Sequence, residues 1–493
     1  MKTGFTRLLT WKTQIMYRTI IGLEVHAQLL TKSKAFCGCS ASYCKTPNTN
    51  ICPICTGHPG TLPNLNTRMI QMGLRAGAAF SCDINPIIGF DRKHYFSPDL
   101  PKGYQITQFF SPIAENGIIE ITGKTRKKKV KIKHIHLEED AARTIHSTDT
   151  TRGEKESLLD FNRAGIGLIE IVTTPDIQCA QDAVAFFEEI RNTLIVLNIC
   201  DGHLEKGSIR CDANISLKDI ATGFSTRRVE IKNLNTFKNL ERALMFEENS
   251  LIKELKNPLS KGSVTKDWNE KLKQTTLSRD KESEGDYRYF PEPDIPVITL
   301  SDEVIKTARE NIPELPSKKL QRLMDQYSLR YEEAKMLVDE RELAVLFESC
   351  MKLSETDDMK NLILRDVKRY LNEEAKSVGQ TLISERKLFN LLLNVRNGKI
   401  SFKTAQTILK KLFETDKTVE KIIEEENLIK ITDVQSLEKI FEEIIAENFE
   451  KYEAYKYGKK ELLKWFVGEM IKRTKGRSEP KLIIKIIKNR LGD

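Results

Sequence analysis

The sequence predicts an α+β protein, with a mixed β-sheet part over residues 17–298 and an all-helical remainder. Three observations predict it. Glycine, proline and short β-branched runs concentrate before residue 299. After it the chain becomes rich in Glu, Lys and Leu and poor in Gly and Pro. At the junction lies FPEPDIPVI, residues 290–298, whose three prolines suit an extended exit and no regular interior element. A chain of 493 residues exceeds one ordinary core, so two to four domains are expected.

The first strand is expected in IIGLEVHAQL, residues 20–29. Side chains alternate along a strand, so Ile21, Leu23 and Val25 face one way and Gly22, Glu24 and His26 the other. Further β-like runs are Ile118–Ile121 and Val130–Ile135, and Pro101-Lys102-Gly103 marks a turn. Val184, Phe187 and Ile190 recur at helical spacing and predict a helix over Ala180–Leu197. Beyond residue 299, Tyr331–Leu353 and Asp358–Leu371 read as helices, and Asn397-Gly398 marks a break. This places a helical domain over 299–400 and a second one over 401–493. The second holds helices over Val434–Ile445 and Lys460–Lys472, with an apolar stripe of Leu462, Leu463, Phe466, Val467, Met470 and Ile471. Ser478, followed by Glu479-Pro480, starts a last helix.

Composition narrows the class. Hydrophobic content of 40% suits a globular protein, and no apolar run reaches the ~18–20 residues a bilayer span needs. Residues 456–490 carry twelve Lys or Arg against three acids, a surplus equal to the whole net charge of +9. A basic terminus on a neutral body points to a polyanion; an ordinary solvated Lys-rich surface is the other reading. Residues 1–16 form a separate extension. Lys2, Arg7 and Lys12, with several Thr and no acid, read either as an organelle-targeting segment or as an upstream start before Met16.

Five of the ten cysteines, Cys37, Cys39, Cys44, Cys52 and Cys55, fall within 19 residues. That is not a spread disulfide framework, so a reducing compartment is expected. Cys37-Gly-Cys39 and Cys52-Pro-Ile-Cys55 are two close pairs on tight turns, which suits a closed four-thiolate structural zinc site with Cys44 spare. Free thiols or a redox pair are the alternatives.

All seven histidines lie at or before His203, so histidine chemistry belongs to the N-terminal part. In HIHLEED, residues 134–140, the apolar phase shifts between Ile132 and Ile135, which predicts a bulge. Beyond it His136 and Glu138 share a face, and Glu139 and Asp140 follow. In RCDANIS, Arg210, Asp212 and Asn214 share a face, and in VEIKNLN the same alternation groups Glu230, Lys232 and Leu234. Polar residues on one face of several strands suggest a lined cleft that suits Mg²⁺; the exposed face of an antiparallel sheet is the alternative. ENGIIEITGKT, residues 115–125, imitates a phosphate-binding loop. It has five residues between Gly117 and Gly123 where four are needed, so it reads as a hairpin leading into a basic strand.

These residues fall in stretches that resemble one family, the B subunits of the aspartyl/glutamyl-tRNA amidotransferases. The stretches are GLEVHAQLLTKSKAFCGC, CPICTGHPGTLPNLN, FDRKHYFSPDLPKGYQITQ, HLEED, LLDFNRAGIGLIEIV, GSIRCDANIS, EIKNLNTF, GDYRYFPEPDIP and VGEMIKRTKGRSEP, in the family's order from about residue 20 to 490. The resemblance implies a cradle-like catalytic domain, a helical domain and a helical tail domain that grips tRNA. It implies an enzyme that uses ATP to phosphorylate the side-chain carboxylate of mischarged Glu-tRNA or Asp-tRNA and lets ammonia displace the phosphate. The ammonia would come from a partner glutaminase A subunit, with a small C subunit completing a heterotrimer. Glu24 and His26 then read as ligands of the Mg²⁺ or of a water attached to it, and the resemblance implies that Glu138 or Glu139 and Glu230 complete the acidic site. From the strand faces, Arg210 and Lys232 would meet phosphate or developing charge, and Lys472, Arg473, Lys475 and Arg477 of the basic tail would meet tRNA. A bacterial cytoplasm is the implied location, with mitochondrion or plastid the alternative if residues 1–16 are a targeting segment. The chain departs from the family pattern at Glu205-Lys206-Gly207-Ser208, where two acids are usual, and at Thr174, where the family often has Glu.

The rival reading is a non-catalytic, zinc-stabilised tRNA-binding scaffold. It has no use for Glu24 and His26 paired on an otherwise apolar strand. A self-sufficient glutamine amidotransferase is disfavoured, because no Ser/Lys amidase signature or free Cys-His-Glu set is evident.

Overall fold

A computed structural model describes residues 17–122, 127–148, 155–256, 262–280, 287–430, 433–474, 477–478 and 480–491. The chain divides into two compact units, up to Leu323 and from Met324.

The first unit is built on a nine-stranded sheet. Its strands in chain order are β1 (Tyr17–Gln28), β2 (Asp83–Ile84), β3 (Ala114–Thr122), β4 (Lys127–Glu139), β5 (Gly167–Thr173), β6 (Ile209–Asp219), β7 (Arg228–Leu234), β8 (Ser263–Asn269) and β9 (Gln274–Asp280). Their order across the sheet is β9-β8-β7-β6-β1-β5-β4-β3-β2. β7 and β8 run parallel, joined by a crossover helix, Phe237–Lys256, as a parallel pair requires. The remaining neighbours in the sheet pair antiparallel.

Alternation in β1 separates two environments. Ile21, Leu23, Val25 and Ala27 are at most 1% exposed, in the core with Phe186, Phe187 and Ile190 of helix Ala180–Val196 and with Leu240 and Leu244 of the crossover helix. Helices cover this face. Glu24, His26 and Gln28 line the opposite face, which carries the polar residues of four neighbouring strands. The stretch 290–298 leaves the sheet through the short strands Phe290–Pro291 and Ile298–Thr299, and helix Asp302–Glu310 follows, with Ser301 capping its N-terminus.

Two expectations about strands are resolved by bulges. The phase shift in β4 is real: the β5–β4 register slips where Val172 faces His134 and Thr173 faces Ile132, leaving Lys133 as the extra residue. The grouping of Leu234 with Glu230 and Lys232 is corrected. Asn233 adopts φ 63°, the β6–β7 register slips there, and Leu234 pairs with buried Cys211 at 2% exposure. The inserted residue turns Leu234 into the core. The turn of the false phosphate loop, Gly123 to Arg126, lies outside the described residues.

The second unit is helical. The expected helix over 331–353 is divided at Glu340, which leaves helical geometry between Tyr331–Asp339 and Arg341–Leu353. The expected helix over 358–371 is continuous but contains a π-helical stretch, Leu362–Val367. At the C-terminus, helices Val434–Glu447, Leu462–Arg473 and Pro480–Leu491 close a small core of Leu437, Phe441, Phe466, Met470, Ile483 and Ile487. No helix among the described residues is long and apolar enough to cross a membrane.

Candidate active site

Strand pairing builds the site row by row. In one row Arg210 of β6, His26 of β1, Glu170 of β5 and His136 of β4 are direct cross-strand neighbours. Glu24 lies beside Asp212 in the next row, and Asn214 beside Glu230 in the one after. Cross-strand neighbours stand ~4.5–5.5 Å apart at Cβ, so these side chains share one space.

They sort into two linked clusters. In the first, the Glu170 carboxylate lies 3.3 Å from His26 Nε2 and 2.6 Å from His136 Nε2. Glu138 approaches both imidazoles at 3.8 Å and accepts from Thr107 Oγ1 at 3.3 Å. Burial alone would push both imidazole pKa values down, but Glu170 and Glu138 outweigh it and raise them. Burial opposes charge on Glu170 as well, yet His136 and His26 hold its pKa well below the usual carboxylate range. His134, stacked on His136 at 5.3 Å, is pushed down to about 4 by burial and by its imidazole neighbour.

In the second cluster Lys232 Nζ lies 3.5 Å from both Asp212 and Glu230. Asn214 donates to Glu24 at 2.9 Å, and Thr265 donates to Glu230 at 2.9 Å. Arg210 bridges the clusters. It pairs with Asp140 at 3.7 Å, and its charge is reinforced by Asp140, Asp212, Glu138 and Glu170 against the cost of burial.

The first cluster suits a divalent cation. His26, Glu138 and Glu170 each offer one donor atom, all within 4.8 Å of one another. His26 Nδ1 is buried without a hydrogen-bond partner, while its Nε2 faces Glu170 at 3.3 Å, so the ring has one nitrogen unpaired within the chain. Two carboxylates leave room for phosphate oxygens, the usual arrangement for Mg²⁺.

Residues 19–306 match the family model described as the GatB/GatE catalytic domain, and residues 345–491 match the GatB domain. The chain belongs to the GatB family. It is 43% identical over 477 residues to the aspartyl/glutamyl-tRNA(Asn/Gln) amidotransferase B subunit of Thermotoga sp. (strain RQ2), covering 96% of this chain and 99% of that one. It is 43% identical over 480 residues to the same-named protein of Thermosipho melanesiensis, 97% and 100% covered. The Myxococcus xanthus protein of that name is 40% identical over 478 residues, 97% and 99% covered.

Of the residues singled out in the sequence, the GatB face brings together Glu24, His26, Glu138, Glu230, Arg210 and Lys232. Glu139 is elsewhere. It follows Glu138 at the strand end and points to the other side, where it pairs with Lys102 and accepts from the Ile106 amide at 3.0 Å. There it lines a cavity of about 370 Å³ with Cys37, Cys55, Arg92 and Tyr104. Two residues of the site are missed by reading the sequence alone. Glu170 stands alone in the apolar strand LIEIV, the same signature that flags Glu24 in LEV. Lys93 sits over the Tyr287 ring at 4.8 Å, and Tyr289, Glu138 and Glu170 raise its pKa despite burial.

The thiols of Cys37, Cys39, Cys52 and Cys55 cluster within 4.8 Å, and Cys44 instead contacts Thr49 Oγ1 at 3.1 Å. The Cys52 and Cys55 sulfurs are 3.9 Å apart. A tetrahedron with Zn–S of ~2.3 Å has sulfur–sulfur edges of ~3.8 Å, so the cluster has the dimensions of a zinc centre. Hydrogen bonding from Cys37 pulls the Cys55 thiol down to about 4 against the cost of burial, with help from Lys34, and burial pushes Cys39 up to about 11.

Of the expected tRNA contacts, Lys472 is exposed on helix Leu462–Arg473. Arg473 pairs with Glu447, and Arg477 donates to the carbonyls of Asn427 at 2.9 Å and Thr474 at 3.1 Å. Lys475 lies outside the described residues.

Proposed function

We propose that the chain is the kinase-transamidase component of a tRNA-dependent amidotransferase. It would act on Glu-tRNA(Gln), Asp-tRNA(Asn) or both and use ATP to make the amide. The single observation that carries this reading is the His26–Glu138–Glu170 cluster flanked by Arg210, Lys232 and Lys93. A carboxylate pair fit to hold Mg²⁺, ringed by cations, is what phosphoryl transfer asks of a protein, because that reaction needs positioning and charge stabilisation above all.

In the first step an oxygen of the substrate carboxylate attacks the γ-phosphorus of ATP. The bond to the β–γ bridging oxygen breaks, and ADP leaves with the electron pair. In the second step the nitrogen lone pair of ammonia attacks the carbonyl carbon of the acyl phosphate. Phosphate departs with the C–O electrons, and the nitrogen loses a proton to reach the amide. Bound Mg²⁺ would neutralise the phosphate oxygens. Of the paired acids at 138 and 139 we assign Glu138 as a ligand, with His26 and Glu170. Arg210 and Lys232 steady the negative charge that moves during transfer. Glu24, Asp212 and Glu230 hold Lys232 in place and fix the polar row beside the metal. Ammonia comes from a partner glutaminase A subunit, and a small C subunit completes the heterotrimer. The four-cysteine cluster takes a structural zinc, since four thiolates leave no open position. Residues 17–298 form the catalytic domain, 299–400 a helical domain and 401–493 the tail that holds tRNA. The bacterial relatives support a cytoplasmic location.

The test is amide formation on charged tRNA with ATP, Mg²⁺ and ammonium, so that no glutaminase is required, using the protein with its co-purifying partners. ATP-dependent Gln-tRNA or Asn-tRNA is expected. Charged tRNA that binds but yields no amide would favour the scaffold reading.

A further inference from the structure

Lys34 is 0% exposed, although it carries an ammonium on a four-carbon stem. Such a group leaves water only when an anion or several acceptors receive it. Its Nζ has two partners, the Phe161 carbonyl at 3.2 Å and Cys55 Sγ at 3.5 Å. The carbonyl is neutral. The nearby Glu139 carboxylate is taken by Lys102. The cysteine cluster is therefore the anionic group that Lys34 meets among the described residues.

Four thiolates around Zn²⁺ carry a net charge of −2, and burying that charge is costly. We propose that Lys34 is the built-in counter-cation of the four-cysteine centre, reducing its net charge to −1, holding it in the zinc-bound form and shielding the Cys55 sulfur. This rests on the zinc reading above. Zinc competes with protons for the thiolates, so a fixed cation favours the metal-bound state. The N–H···S bond also withdraws electron density from Cys55, which lowers its reactivity toward electrophiles.

The same lysine ties the centre to the catalytic sheet. Its bond to Phe161 and the Ala35 amide bond to Gly165 at 2.8 Å fasten the turn before β5. Gly165 adopts φ +81°, which favours glycine, and lies against the cluster: a Cβ there would be in van der Waals contact with Cys55 Cβ at 3.4 Å. In turn the Gly165 amide donates to Asp140 at 2.9 Å, and the Asp140 amide to Ile166 at 2.8 Å, at the end of the strand that carries Glu138.

The experiment follows zinc transfer from the purified full-length protein to the colour-forming chelator 4-(2-pyridylazo)resorcinol. Lys34→Met keeps the apolar stem and removes the charge. It is expected to release zinc at least tenfold faster than wild type and to lose Cys55 to iodoacetamide faster. The exposed neighbour Lys45→Met is expected to match wild type. Lys34→Gln, which keeps a donor without charge, serves as the second variant if the Met variant does not fold, with the same expected direction. A folded Lys34→Met or Lys34→Gln protein that releases zinc at the wild-type rate overturns the proposal. Co²⁺ substitution of the wild type separates the two readings. Without a four-thiolate charge-transfer band the zinc assignment itself fails; with the band and an unchanged variant, only the role of Lys34 fails.

Discussion

Replacing Glu170 by Gln tests which carboxylates hold the catalytic cation. The substitution keeps the shape of the side chain and removes one of the two negative charges in the His26–Glu138–Glu170 group. A carboxylate ligates Mg²⁺ at ~2.1 Å, and a unit charge at that distance from a divalent ion is worth about 4 kcal/mol even with the screening of bulk water. Because the Glu170 side chain is only 13% exposed, little further desolvation is needed to use it, but its pairs with His26 and His136 must loosen when metal binds. Halving the Coulomb figure for that competition leaves about 2 kcal/mol, on the order of 30-fold in affinity. The expected result is a Mg²⁺ requirement for tRNA-dependent ATP turnover raised at least 30-fold, in a variant that keeps the wild-type far-UV circular dichroism spectrum. Glu139→Gln, on the other side of the sheet, is expected to leave the Mg²⁺ requirement near wild type. A Glu170→Gln protein with an unaltered Mg²⁺ titration would refute the ligand assignment, as would an equal shift in Glu139→Gln.

Three further outcomes are expected. Cys52→Ser should abolish stoichiometric zinc by elemental analysis and lower the thermal midpoint by several degrees, since a structural zinc contributes directly to folding; full zinc content would disprove the ligand set. In metal-free protein, His136 is raised above 6.5 and Glu170 lowered below 4.5. The raised imidazole contributes stability below its unfolded pKa and loses it as pH rises through the folded value, while the lowered carboxylate contributes above its unfolded pKa and loses it as pH falls. The urea midpoint gap between wild type and Glu170→Gln should therefore be widest between about pH 4.5 and 6.5; a gap that grows toward pH 9 contradicts this. Neutralising exposed Lys472 should weaken tRNA binding and reduce the salt slope by about 1, whereas Arg473→Gln, already paired with Glu447, should change the slope less. Equal slopes for wild type and the Lys472 variant would leave the tail as a solvated surface.

Much of the site was legible because strands have a period of two. Alternation alone grouped Glu24 with His26 and set them opposite Ile21, Leu23 and Val25, but the choice between Glu138 and Glu139 was left open and came only from the contacts of Glu139 with Lys102 and the Ile106 amide. The β4 bulge was visible as a slip in apolar phase. The β7 bulge was not, because nothing in VEIKNLN reveals that Asn233 takes positive φ, a conformation asparagine tolerates better than most residues. Glu170 was missed although it carried the same signal as Glu24. Lys93 was not legible, since its role depends on a short strand, Asp91–His94, which is placed by pairing with Tyr104–Thr107 and with the distant Phe290–Pro291. The break at Glu340 was hidden for a similar reason: Glu favours helix, and tertiary packing of two short helices overrides that weak preference.

In the proposed reaction a substrate carboxylate is activated as an acyl phosphate on the polar face of the sheet. Glu-tRNA or Asp-tRNA carrying ¹⁸O in the side-chain carboxylate, incubated with the protein, ATP, Mg²⁺ and ammonium, tests it most directly. One ¹⁸O transferred to inorganic phosphate for each amide formed is the expected result. Amide formed with no ¹⁸O in the phosphate would rule out an acyl phosphate intermediate.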